Sequence, residues 1–196
     1  MRNPDCGPCP AAVFCGGGRW QAASEGIMTR LPQYVHVRFN RPGVATSRKE
    51  LEEFTRDFLA IALEEAGWRG GELTVVYCSR QMIRSMKKNY LGIDEVTDVL
   101  SFPSAENPVE PTSNQPAYLG DIAVCLPFAV REARQAGRDP SRELALLLVH
   151  GLLHLVGWDH DTLERERAMW AETDRLLAIA LERVEPPKLA LHGDER

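Results

Sequence analysis

The feature that most narrows what this chain can fold into is one apolar segment, Leu144 to Trp158, interrupted only by two histidines four residues apart. A third histidine follows at once, in "HGLLHLVGWDH" (His150 to His160), so three of the chain's five histidines fall in this window. Asp139 and Pro140 open the segment: one has a side-chain oxygen that caps free amides, the other a ring already set at helical φ. Gly157 suits the left-handed turn that closes a helix. The spacing predicts a helix from Pro140 to Gly157, and a helix apolar on every side must be covered on every side, so it belongs at the centre of a layered domain. It falls short of the roughly 20 apolar residues that span a bilayer, and no membrane partner is expected.

The remaining pattern supplies the layers. "YVHVRF" (Tyr34 to Phe39) alternates as a half-buried strand; Ser47 and Glu50 form a capping box ahead of Leu51, Phe54 and Phe58. Strands are expected at Glu72 to Cys78, Thr97 to Phe102 and Gly120 to Leu126, and a helix from Arg80 to Tyr90. Pro127 starts a short helix that Gly137 ends, and Asp161 is expected to cap a last amphipathic helix on which Leu163, Met169, Trp170, Leu176, Leu177 and Leu181 form the buried side. The sum is an α+β (α/β-like) domain: one small mixed sheet of four strands packed by five helices, with a Pro-rich polar loop through Pro116. At 196 residues, 44% hydrophobic and 26% charged, the chain suits a single globular domain with tails. We place that domain at 28–185. Residues 1–27, rich in Gly, Pro and Cys and followed by Met28, read as a disordered extension or an upstream start, with Cys6 and Cys9 in a solvated tail; 186–196 reads as a flexible tail. No secretory leader is recognisable and the five cysteines are odd in number, which points to the cytoplasm.

His150 and His154, one turn apart on a helix, project from one face, and a turn at Gly157 brings His160 back toward it. Three imidazoles without a cysteine suit Zn²⁺, one per chain, with an open position for water, the arrangement of catalytic sites; zinc lowers the pKa of that water to roughly 7. Asp159 or Asp161 is expected to hydrogen-bond a ligand ring. The alternative, three histidines that merely pack, leaves uncompensated buried rings at about 1–3 kcal/mol each. Zinc proteases of the "HExxHxxGxxH" class share the spacing, but their general-base glutamate falls here on Gly151.

The motif resembles the signature of the YbeY family of single-strand-specific, metal-dependent endoribonucleases. "VTDVLSFP" (Val96 to Pro103), "YLGDIAVC" (Tyr118 to Cys125) and the helix after the histidines are similar to further blocks of that family, in its order, so that the likeness runs from about Val35 to Leu181. The resemblance implies a zincin-like domain with His150, His154 and His160 as ligands. It also implies maturation of ribosomal RNA precursors (the 16S 3′ end) and ribosome quality control, with small-subunit ribosomal proteins and an associated GTPase as partners. Where many members carry "YRGKD" this chain has "YLGID", so Leu91 stands in place of a cation.

A net charge of −5 excludes a protein that coats nucleic acid with its whole surface, so cations for RNA must be gathered locally. Arg80, Arg84, Lys87 and Lys88 recur at helical steps opposite Met82, Ile83, Met86 and Tyr90, and this stripe is the expected RNA-binding element, against the alternative of a solvated face. Ser101, Asp121 and Asp159 are the candidate catalytic side chains beyond the zinc-bound water. Two rival classes remain: a metalloprotease, disfavoured by Gly151, and a non-catalytic ribosome-assembly factor with structural zinc.

Overall fold

The computed structural model describes residues 34–40, 43–44, 46–68, 70–104 and 117–191, all within the unit Leu31–Arg196. The expectations for 1–27, for Cys6 and Cys9, and for the Pro-rich loop lie outside the described residues. Nine elements follow in order: β1 (Tyr34–Asn40), α1 (Arg48–Glu65), β2 (Gly71–Cys78), α2 (Arg80–Leu91), β3 (Val99–Pro103), β4 (Ala117–Val124), α3 (Leu126–Gln135), α4 (Pro140–Leu155) and α5 (Leu163–Leu181). The α+β class, the four strands and the five helices match the sequence expectation.

The strands form one mixed sheet in the order β1-β2-β4-β3. β1, β2 and β4 are parallel, joined by crossovers that carry helices, while β3 pairs antiparallel with β4 and occupies an edge. On one sheet face the main core gathers Leu51, Phe58, Val75, Ile122, Leu148 and Leu152 with the buried side of α5. On the other face α2 covers a smaller cluster of Cys78, Ile83, Ala123 and Cys125. α4 is the pillar: it touches β3, β4, α1, α3 and α5, and Leu144, Leu148, Leu152 and Leu155 are fully buried. Burying four leucines contributes on the order of 1.5–3 kcal/mol each, which fixes this helix more firmly than its caps do.

The caps are built as read, except that the box of Ser47 and Glu50 forms only its Ser47 half among the described residues and that α5 has another cap. Ser47 accepts from the Glu50 amide at 3.4 Å, and the Asp139 carboxylate accepts from the Ser141 amide at 3.0 Å with Pro140 behind it. α5 is capped by Thr162, whose hydroxyl accepts from the Arg165 amide at 3.2 Å, and not by Asp161, which is held in an ion pair with Arg165 at 3.0 Å. The tail expected from residue 186 is corrected as far as Leu191. Ser141 Oγ donates to the Pro187 carbonyl at 2.7 Å, Leu189 joins the main core, and Leu191 bridges to Val44.

Candidate metal centre

α4 delivers His150 and His154, and the turn behind it delivers His160. At the helix end the Gly157 amide donates to the His154 carbonyl at 3.2 Å and the Trp158 amide to the Leu153 carbonyl at 2.9 Å. Gly157 sits at φ +93°, a conformation that side-chain-bearing residues adopt only with strain, and the chain turns back there. The three rings meet with centroids 4.8, 5.0 and 5.7 Å apart, and one ring nitrogen from each lies within 4.8 Å of the others. The spacing of the motif thus translates directly into a cluster able to hold a metal ion.

Its electrostatics favour neutral rings at His150 and His154. Burial, reinforced by the like charge that His154 and His160 would add, pushes the His150 pKa down to about 4; burial and His160 also lower that of His154. His154 Nδ1 lies 3.1 Å from the Trp158 carbonyl, so this nitrogen carries the proton, leaving Nε2 as a lone pair facing His150 Nε2 at 3.2 Å. His150 Nδ1 is buried without a hydrogen-bond partner. Neutral imidazoles with converging lone pairs are the form a divalent transition metal requires, and the donor set fits zinc; His160, on the exposed side, keeps the cluster open to solvent.

The aspartates do not play the part expected of them. Asp159 accepts from the His160 backbone amide at 2.8 Å, shaping the turn, and Asp161 pairs with Arg165; the ring partner that emerges is a backbone carbonyl, that of Trp158. The expectation for α5 is corrected at two positions, since Leu163 and Trp170, expected on its buried side, are 73% and 42% exposed. Two groups not read as part of the cluster, Trp170 and Asp98, stand at it. The indole of Trp170 stacks on His150 with centroids 5.4 Å apart and planes at 27°, and Asp98 is a carboxylate whose field reaches His150. Asp98 is itself fixed by the Val99 amide at 2.8 Å and the Thr97 hydroxyl at 3.1 Å. An acid at the entry to a strand was the only available signal for it.

Ser101 and Asp121 are separated by the sheet. Ser101, on the edge strand, points to α4 and donates to the Gly151 carbonyl at 3.1 Å. At Gly151 an added Cβ would stand 2.9 Å from Ile122 Cγ2 and 3.2 Å from Ser101 Oγ, so the glycine is what lets α4 settle onto β3 and β4. The position that holds the glutamate in zinc proteases is therefore closed to any side chain here. Asp121 is the neighbour of Ile122 in β4, and alternation turns it to the opposite face, where it accepts from the Tyr118 hydroxyl at 2.9 Å. It does not join the histidines.

The basic stripe is largely neutralised. Arg84 and Lys88 both bind Asp94, at 2.7 and 3.0 Å, and hold its carboxyl below the usual range, while Lys87 lies 3.7 Å from Glu95. Arg80 stands over the Phe128 ring. On the opposite side Ile83 is fully buried, Met82 and Met86 pack partly buried against the small core, and Tyr90 is 72% exposed. Leu91, also exposed, precedes the left-handed cap at Gly92.

A mixed four-stranded sheet, with three histidines gathered by a buried helix and the glycine turn behind it, defines a class of small α+β proteins built around a metal-capable centre. The family model described as Endoribonuclease YbeY matches residues 37–180, and the chain belongs to that family. It is 36% identical over 148 residues to the Endoribonuclease YbeY of Geobacillus kaustophilus, covering 74% of this chain and 95% of that one. The Halorhodospira halophila protein of the same name is 42% identical over 114 residues, 58% of this chain and 73% of its own length. Among solved structures, that of TM1509 from Thermotoga maritima superposes with a TM-score of 0.53 at 25% identity, over 76% of this chain and 89% of that one.

Proposed function

We propose that the chain is a zinc-dependent, single-strand-specific endoribonuclease that matures ribosomal RNA precursors at the 16S 3′ end and serves ribosome quality control in the cytoplasm. One observation carries the reading: three imidazoles, two of them held neutral by burial, converge at an exposed margin in a chain of the YbeY family. His150, His154 and His160 would hold one zinc ion. When bound, zinc supplies Lewis acidity toward a phosphate oxygen and the attacking oxygen nucleophile.

The chain's own residues set up the rest. The Trp158 carbonyl fixes the tautomer of His154, burial removes the competing proton from His150, and the stiff α4 keeps the two nitrogens in register. Gly151 leaves no carboxylate beside the first histidine, which removes the general base a peptidase of this spacing uses. Small-subunit ribosomal proteins and an associated GTPase are the partners this reading implies. Among the described residues no helix is long and apolar enough to cross a membrane.

Labelled single-stranded RNA, duplex RNA and casein, each offered to the zinc-loaded protein with and without chelator, test the proposal. We expect cleavage of the single strand alone, lost with chelator and restored by zinc. A 2′,3′-cyclic phosphate end would assign attack to the 2′-hydroxyl, and a simple phosphate end to water. Cleavage of casein and not of RNA would overturn the reading.

A further inference from the structure

α5 buries Met169, Thr173, Leu176, Leu177 and Ala180. Trp170 follows Met169 directly, so it stands roughly 100° around the helix from that residue, away from the packed side. It is 42% exposed although it is the largest apolar side chain on the helix. What holds it is the imidazole of His150, against which one face of the indole lies at 5.4 Å. One turn ahead, and on the same face, is Arg167, exposed and without a hydrogen bond or ion pair among the described residues. Its neighbours on the helix are engaged: Arg165 with Asp161, Arg175 with Glu172. Leu163, a further turn back, is 73% exposed and completes the stripe. Side chains on a helix lean toward its N-terminus, which draws the indole over the turn that carries Arg167.

We infer that Trp170 and Arg167 form a nucleotide subsite at the margin of the histidine cluster, in which the free part of the indole stacks a base of single-stranded RNA and the guanidinium takes an adjoining phosphate. The inference rests on the RNA-cleaving reading above. An aromatic face accepts any base and an unpaired arginine beside it accepts the backbone, the combination by which proteins hold single strands. A stripe meant for an apolar protein surface would not place an unpaired cation between its two large side chains. The subsite also answers the neutralised stripe on α2: a free cation stands one helical turn from the indole that stacks on His150.

The test uses the full chain loaded with zinc and a fluorescent 2′-O-methyl oligoribonucleotide, whose integrity is checked on a gel. Trp170→Ala should weaken binding about 5- to 150-fold, the span of about 1–3 kcal/mol that stacking on an aromatic contributes per base, and Trp170→Phe should retain most of the affinity. Arg167→Gln should lower the salt slope by about 0.7, as for one lost phosphate contact on a single strand. With an abasic nucleotide moved along the strand, wild type should lose affinity at one position and Trp170→Ala at none. Equal binding by wild type and Trp170→Ala, with identical abasic profiles, overturns the subsite and leaves the RNA reading standing. An affinity loss that follows lost zinc and ignores the abasic position overturns it in favour of a ring that only supports His150. If wild type binds no single-stranded RNA, the RNA reading fails, and the subsite with it.

Discussion

Gly151→Ala is the substitution whose outcome the packing determines most sharply. In an exposed helix the change stabilises by up to about 1 kcal/mol, because alanine has the higher helix propensity. Here the new Cβ would meet Ile122 Cγ2 at 2.9 Å and Ser101 Oγ at 3.2 Å, both closer than ordinary van der Waals contact. Either α4 lifts from the sheet or Ile122 leaves its rotamer, and overpacking of this kind costs about 1–3 kcal/mol. A lift would also lengthen the 3.1 Å bond from Ser101 to the Gly151 carbonyl, whose loss costs about 0.5–1.5 kcal/mol. The balance is a net destabilisation of about 2 kcal/mol, or about 4–8 °C in Tm for a domain of this size. Urea melts and thermal melts of wild type, Gly151→Ala, Ser101→Ala and the double variant measure it. The double variant should lose less than the sum of the two, since one of the clashing atoms is gone. Zinc content should hold, because α4 and the turn behind it carry all three histidines together. A Gly151→Ala protein as stable as wild type would refute the reasoning, for it would mean that the helix has room at the point where we find it closest to the sheet.

Three further outcomes follow from the same geometry. Arg84→Gln with Lys88→Gln should leave RNA affinity and its salt slope unchanged in a filter-binding titration, because Asp94 already engages both cations; a slope flattened by about 0.7 per residue would return the stripe to the RNA path. Asp121→Asn should keep full zinc content and full cleavage rate, since the side chain lies across the sheet bonded to Tyr118, and a rate loss at constant stability would place it in the site. The zinc-free protein should lose stability as pH falls from about 6.5 toward 4. In that window the unfolded His150, with its ordinary pKa near 6.5, takes up a proton that the folded ring, at about 4, refuses, so the proton favours the unfolded state; the drop in Tm should be smaller in His150→Gln, and equal slopes in the two proteins would contradict it.

What the sequence disclosed and what it withheld divide along physical lines. The histidine cluster was legible because its geometry is local: i, i+4 spacing on an apolar helix and a glycine at the turn specify where the rings go before any tertiary contact forms. The same holds for the Ser47 and Asp139 caps and for Met169, Leu176 and Leu177 on α5, though Leu163 and Trp170, expected beside them, are exposed. β4 was read as starting at Gly120, since glycine punctuates sequences, yet the strand begins at Ala117 and takes up the irregularity in its register with β2, between Glu72 and Leu73. Alternation put Ser101 and Asp121 in strands but could not say which face α4 would cover, and the two residues proved to lie on opposite faces. The cations of α2 were counted along their own helix, whereas their partners, Asp94 and Glu95, come from the loop beyond its end. Trp170 looked like a core residue because indoles usually are; its partner is a histidine twenty positions earlier. The docked stretch 186–191 contains too few apolar residues to show a period, and only the main core reveals why Leu189 is there.

The central claim is that His150, His154 and His160 hold one catalytic zinc ion. Elemental analysis paired with cleavage of labelled single-stranded RNA, on wild type and on His150→Ala, His154→Ala and His160→Ala, tests it most directly. Wild type should carry about one zinc per chain, and each variant should lose zinc and cleavage together while retaining its fold by circular dichroism. Full zinc occupancy in all three variants, or RNA cleavage undiminished after the metal is gone, would contradict the account.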